Sequence, residues 1–231
     1  MSLRIAMISE HASPLATPGG VDSGGQNVYV AQLARQLAVL GHDVDIFTRR
    51  DAPNLAAMVE LHPGVRVVHV PAGPARHVPK EQLLAFMPAF ERWMADFVRQ
   101  DARGYDLAHA NFWMSGLVAV GLKRRLGLPF VVTFHALGKV RRLYQGEADG
   151  FPPEREAIEQ RVLREAGLVI AECPQEVEDL VGLYGAERGR IRVAPCGFDA
   201  GEFWPEPRAE ARRRLGLPID EPIVLQLGRM V

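Results

Sequence analysis

The 231-residue sequence predicts an α/β domain: a parallel sheet with helices on both faces. Short apolar strands alternate with helical stretches along most of the chain. Several of those strands, such as "LRIAMIS" and "PFVVTFH", are near-continuous apolar runs, the mark of strands covered on both sides. The first of them leads through a glycine-rich loop into an amphipathic helix, the arrangement of a Rossmann-like first crossover.

Leu3–Ser9 is the first strand. The following loop holds Gly19, Gly20, Gly24 and Gly25, and a helix is expected from Gln26 to Leu40 because Val30, Leu33, Ala34, Leu37 and Leu40 recur at helical spacing. Gly41 stands where a left-handed residue closes such a helix. Strands follow at His42–Thr48 and Val65–Val70. A long helix is expected over Lys80–Arg103, kinked at Pro88. Strand Tyr105–Ala110, helix Ser115–Leu126 and strand Pro129–His135 come next. A polar loop leads to a helix at Glu154–Glu165, and strands 168–172 and 190–195 flank a helix at Gln175–Tyr184. This gives seven strands. Prolines 205, 207, 218 and 222 punctuate a charged stretch with one short helix near Ala209–Leu215, which reads as a linker. "PIVLQLGRMV" reads as a fresh strand. The domain expectation is therefore 1–197 as the Rossmann-like domain, 198–222 as a linker and 223–231 as the first strand of a truncated second domain.

Composition narrows the function classes. Hydrophobic residues make up 48% and the formal net charge is −1, so nothing favours nucleic acid or an anionic membrane as partner. The longest apolar run, near Leu117–Leu122, is too short to cross a bilayer, and no export signal is read at the N-terminus. A cytoplasmic location is expected, with Cys173 and Cys196 as two buried thiols lacking metal or redox spacing.

Ligands of parallel sheets bind beyond the carboxyl ends of the strands. Glycines at a helix start let backbone come close to a phosphate, where free N–H groups and the helix dipole favour negative charge. Gly24 and Gly25 are placed for that. Neither the G-x-G-x-x-G dinucleotide pattern nor a P-loop is present, which weighs against a nucleotide-dependent oxidoreductase. His11, His109 and His135 end strands on the ligand side, without metal-ligand spacing, so no metal is expected. Lys139, Arg141, Arg142 and Arg155, in the polar loop and at its end, form a possible second anion site.

Six colinear stretches, "HASPLATPGGVDSGGQNVYV", "HANFWMSG", "TFHALGKV", "AECPQEVEDL", "IRVAPCGFDAGEFWP" and "LQLGRMV", resemble the N-terminal half of family-four retaining glycosyltransferases of the GT-B fold. The resemblance is to the group holding sucrose-phosphate synthases and D-inositol-3-phosphate glycosyltransferases. It implies transfer from a nucleotide sugar, a UDP-sugar above all, to a hydroxyl, with no cofactor. It implies that Gly24, Gly25 and Arg229 meet the donor diphosphate and that His135 stands by the transferred sugar as the catalytic residue. It places Gln26, Asn27 and Phe112 near the acceptor, with Lys80, and more weakly Arg141 and Arg155, on an acceptor phosphate. Phe112 and Ala136 stand where inositol-phosphate enzymes carry Tyr and Thr; each loses a hydroxyl donor, which argues for a sugar or sugar phosphate instead. The resemblance also implies a missing C-terminal donor domain, so this chain alone is expected to be inactive. A non-catalytic sugar-phosphate binding domain is the other alternative.

Overall fold

A computed structural model describes residues 2–17 and 24–226. The chain divides into two compact units, Met1–Cys196 and Gly197–Val231.

In the first unit, strands β1 (Arg4–Ile8), β2 (Asp43–Arg49), β3 (Met58–His62), β4 (Val65–Val70), β5 (Leu107–Asn111), β6 (Phe130–Thr133), β7 (Leu168–Ala171) and β8 (Ile191–Val193) form one sheet. Its order is β3-β4-β2-β1-β5-β6-β7-β8. All neighbours are parallel except β3, which pairs antiparallel with β4 through a register shift between Glu60 and His62. This is the expected α/β class: a sheet parallel but for one edge strand, with a core on each face. The helices are α1 (Gly25–Val39), α2 (Met87–Gln100), α3 (Trp113–Leu126), α4 (Gly138–Gln145), α5 (Arg155–Glu165) and α6 (Pro174–Tyr184).

Strand periodicity sorts the core onto the two faces. Ile5, Met7, Val44, Ile46, Val65 and Val67 pack with Val30 and Ala34 of α1. The alternate residues Ala6, Ile8, Phe47, Val68 and Val70 join a larger core with Phe90 and Met94 of α2 and Val118 and Leu122 of α3. Toward the amino end of the strands a charged network crosses the sheet. The Asp45 carboxylate accepts from Arg4 at 3.1 Å and from Arg66 at 2.7 and 2.6 Å. Arg4 also bonds Asp101 and holds that carboxyl down to about 2.

Four expectations are corrected. Strand β3 was not expected; it is an edge strand with little burial, so its sequence carries weak apolar patterning. The expected long helix is two elements, a 3-10 segment at Lys80–Phe86 and then α2, with Pro88 in the first turn of α2, where its missing N–H costs nothing, instead of at a kink. The polar loop after His135 folds largely as α4, held by neighbours more than by its own apolar face. Cys173 and Cys196 are exposed, not buried, because they follow the carboxyl ends of β7 and β8.

In the second unit, α7 (Arg208–Leu215) is closed by Arg212, which donates to the carbonyls of Pro218 and Glu221 at 2.8 Å each. Residues 222–226 have no regular structure, and the rest of the expected strand lies outside the described residues.

Helices α3 and α5 meet at Gly116, where an added Cβ would stand 2.7 Å from Val162 Cγ1. Gly116→Val is expected to lower unfolding free energy by about 1–3 kcal/mol, read as a lower urea midpoint at unchanged slope.

Candidate active site

Strand order reverses between β1 and β5, so the loops after these strands diverge and leave a crevice at their carboxyl ends. Helix α1 starts there. Gly24 is its cap in extended conformation, and its N–H donates to Asn27 Oδ1 at 2.9 Å. Asn27 also donates through Nδ2 to the Ser13 carbonyl, so its amide is used at both ends in shaping the loop. No acidic side chain occupies the first turn, which leaves the positive end of the helix uncompensated there. A Cβ built on exposed Gly25 meets nothing within 4 Å among the described residues. Gln26 spans the crevice, donating to Ser9 Oγ at 3.3 Å and to the Asn111 carbonyl at 3.4 Å. Gly19, Gly20 and Arg229 lie outside the described residues.

His135 follows β6 and faces the same crevice. Its ring meets Tyr29 of α1 edge-on, with centroids 4.8 Å apart. Its Nδ1 lies 3.0 Å from Glu172 Oε1, and its Nε2 lies 3.1 Å from Asn111 Oδ1. The Asn111 amide nitrogen faces the carbonyls of Ile8 and His109, which turns its oxygen toward His135. Burial works to raise the Glu172 pKa, but the hydrogen bond and charge of His135 and the Cys196 thiol outweigh it, so the carboxyl sits below its usual range. Cys196, bonded to Glu172 at 3.1 Å, is pushed up to about 11 by burial and then by that carboxylate, so this exposed thiol is a weak nucleophile. His135 has φ +59° and Phe112, just after β5, has φ +83°. They are the only non-glycine residues with positive φ among those described, and such conformations cost about 1–3 kcal/mol each. Both flank the crevice.

Beside the start of α1 a cleft of about 470 Å³, open to solvent, is lined by Glu10, His11, Asn27, Arg49, His77 and Lys80, among others. His11 is held by Glu10, with Nδ1 2.8 Å from Oε1, and its ring packs edge-on against Phe112 at 4.9 Å. Glu10 is fully buried and also accepts from Ser115 Oγ. Arg49 is 4% exposed and donates to the carbonyls of Pro74 and Arg76 at 2.7 and 2.6 Å. Burial lowers its pKa, and Asp51 only partly offsets this.

The sequence therefore places Gly24, Gly25, Gln26 and His135 around one crevice, and His11, Asn27 and Lys80 around the adjoining cleft. It misplaces others. His109 is not on the rim: it is the third residue of β5, 4% exposed, with Nε2 2.9 Å from Thr133 Oγ1. The cations read as a second anion site are paired locally: Lys139 donates to the Leu183 carbonyl, Arg141 to Asp149 and Arg142 to Glu156. Arg155 is 1% exposed, bonded to Glu159 at 2.8 Å and surrounded by the rings of Phe112, Trp113 and Phe151. Phe112 is itself 5% exposed and part of the core. Sequence reasoning missed Glu10, Arg49, Asn111 and Glu172. Only Glu172 carried a usable signal, since it follows β7 much as His135 follows β6.

Comparison with known proteins bears on this geometry. Residues 24–197 match the family model described as glycosyl transferase 4-like domain. The chain belongs to that family. The D-inositol 3-phosphate glycosyltransferase of Acidothermus cellulolyticus is 44% identical over 98% of this chain and 51% of its own length. That of Catenulispora acidiphila is 43% identical over 98% of this chain and 54% of its own length. The glycosyl transferase 4-like chain thus spans about half the length of the curated relatives it matches. Among solved structures, sucrose-phosphate synthase from Thermosynechococcus elongatus superposes with a TM-score of 0.84 at 36% identity, covering 95% of this chain and 54% of that one. Starch synthase IV from Arabidopsis thaliana, at 16% identity and a TM-score of 0.60, covers 87% of this chain and 53% of that one and shares the fold. Among the described residues of this glycosyl transferase 4-like domain, no helix is long and apolar enough to cross a membrane.

Burial, helped by the nearby His135, pushes His109 down to about 3. The unfolded chain, with an ordinary histidine near 6.5, therefore binds the extra proton as pH falls between these values, and stability is lost in that direction. Between pH 7 and pH 5 wild type is expected to lose about 2 kcal/mol more than His109→Asn, measured by urea unfolding at both pH values.

Proposed function

We propose that this domain is the acceptor-side half of a retaining glycosyltransferase that moves a sugar from a nucleotide sugar, a UDP-sugar, to a hydroxyl of a sugar or sugar phosphate. The carrying observation is the open start of α1, with unobstructed Gly25 next to Gln26 and, through Asn111, to His135. Backbone N–H groups and a helix dipole there suit the charge that grows on a departing diphosphate. In this reading Gly24 and Gly25 meet the diphosphate, together with Arg229, and His135 orients the transferred sugar. The doubly hydrogen-bonded His135 ring supports that role, since its plane is fixed between Glu172 and Asn111.

The adjoining cleft is the acceptor site in this reading, with His11 and Asn27 along its wall, Gln26 in the neighbouring crevice and Lys80 on an acceptor phosphate. The buried Arg49 adds positive field from below. The names of the relatives, D-inositol 3-phosphate glycosyltransferase and sucrose-phosphate synthase, are consistent with a phosphorylated small molecule in the reaction. Residues 1–197 serve as the acceptor domain and 198–222 as the linker toward a donor-binding domain. The 231-residue chain by itself carries no transferase activity in this reading, because half of the length of its relatives is absent.

The test uses the longer protein with a panel of UDP-sugars and hexose phosphates. Gly25→Ala meets nothing within 4 Å among the described residues, so it should leave the melting temperature unchanged while cutting kcat/KM for the donor at least tenfold. Lys80→Ala should raise KM for a phosphorylated acceptor about tenfold and leave kcat within twofold. Full donor turnover by Gly25→Ala would refute the diphosphate site.

A further inference from the structure

The four residues between β6 and α4, Phe134 to Leu137, carry His135 in its left-handed conformation. Two backbone groups on its C-terminal side are seized by side chains from α5. Arg155 Nη2 donates to the Ala136 carbonyl at 2.7 Å. Glu159 accepts the Gly138 N–H with both oxygens, at 3.0 and 3.1 Å. Arg155 and Glu159 are bonded to each other at 2.8 Å, with 1% and 0% of their side chains exposed. From α6, the Tyr184 hydroxyl bonds both Glu159 and the Lys139 N–H. The fit is close: a Cβ on Gly138 would fall 2.9 Å from both Arg155 Nε and Glu159 Oε2.

A buried ion pair rarely stabilises a fold more than apolar side chains of the same size would. What apolar residues cannot do is hold the Ala136 carbonyl and cap the Gly138 N–H. Helix α4 has no side-chain cap of its own, and Glu159 supplies one from another helix, with its negative charge at the positive end of α4. The same guanidinium lies 5.2 Å from the ring of Phe112, the other left-handed residue of the rim.

We propose that the Arg155–Glu159 pair is a positioning device that keeps His135 turned toward Glu172 and Asn111. Its catalytic consequence rests on the reading above that His135 meets the transferred sugar; its structural content does not. Tyr184 is the third member of the device, holding Glu159 in the orientation that reaches Gly138.

The test swaps the pair for apolar residues of similar size, Arg155→Met with Glu159→Leu, in the 231-residue chain. Histidine is labelled with nitrogen-15, and His135→Ala assigns the ring signals. The double variant should melt within a few degrees of wild type. Its His135 Nδ1–H signal, protected in wild type by Glu172, should broaden or exchange with water at least tenfold faster. A folded double variant with an unchanged His135 ring signal would overturn the proposal. If the double variant does not fold, Tyr184→Phe decides: faster Nδ1–H exchange supports the device, and an unchanged signal sinks it. In the longer protein, His135→Ala with undiminished kcat would remove the sugar-side role of His135 and leave the ring-exchange result to judge the clamp alone.

Discussion

The side-chain amide of Asn111 is the joint on which the crevice depends. It is fully buried at the end of β5, where strand order turns back. Its nitrogen faces the Ile8 carbonyl of β1 and its oxygen faces His135 after β6, while the backbone carbonyl of the same residue receives Gln26 from α1. Four elements are thereby fixed around one residue. A buried amide with each end matched is rigid, because a flip would turn its oxygen onto the Ile8 and His109 carbonyls, acceptor facing acceptor. This residue, together with the edge-on contact of Tyr29 against His135, ties the start of α1 to the imidazole.

The two ends of the sheet use charge differently. At the amino end, Arg4, Arg66 and Tyr105 converge on Asp45, and the charges cancel within the protein. At the carboxyl end, Arg49 is buried against carbonyls, and α1 begins without an acidic residue. There Arg49 and the start of α1 share the cleft with the buried Glu10 and with Asp51, so opposite charges stand side by side around it. A low-dielectric wall strengthens each of those fields, which orients a charged ligand as it enters.

Much of the architecture was legible in the sequence, because parallel strands covered on both faces write continuous apolar runs and their helices keep a clear stripe. The order of strands and helices through α3 follows from that, except for β3. What failed has physical causes. Strand β3 pairs on one side only and needs no apolar face. Helix α4, "GKVRRLYQ", gets its support from Asp149 just past its end and from Glu159 and Tyr184, which are far in sequence. For the site, the strand-end rule located His135, but it misjudged His109, since two more residues extend β5 past it. Glu10 left no mark, because a carboxylate at a loop start is ordinarily solvated, and only the fold shows Ser115 and His11 closing over it. Arg155 looked like a free loop cation for the converse reason.

The rims of the sheet carry a last implication. One rim is β3, five residues long and interrupted by a register shift; the other is β8, with three residues. Neither offers a foreign strand a long run of unpaired amides. Stray chains therefore find little template for zipping onto this protein at its margins, which protects it against sheet-driven aggregation during synthesis, when β8 is the last strand to join.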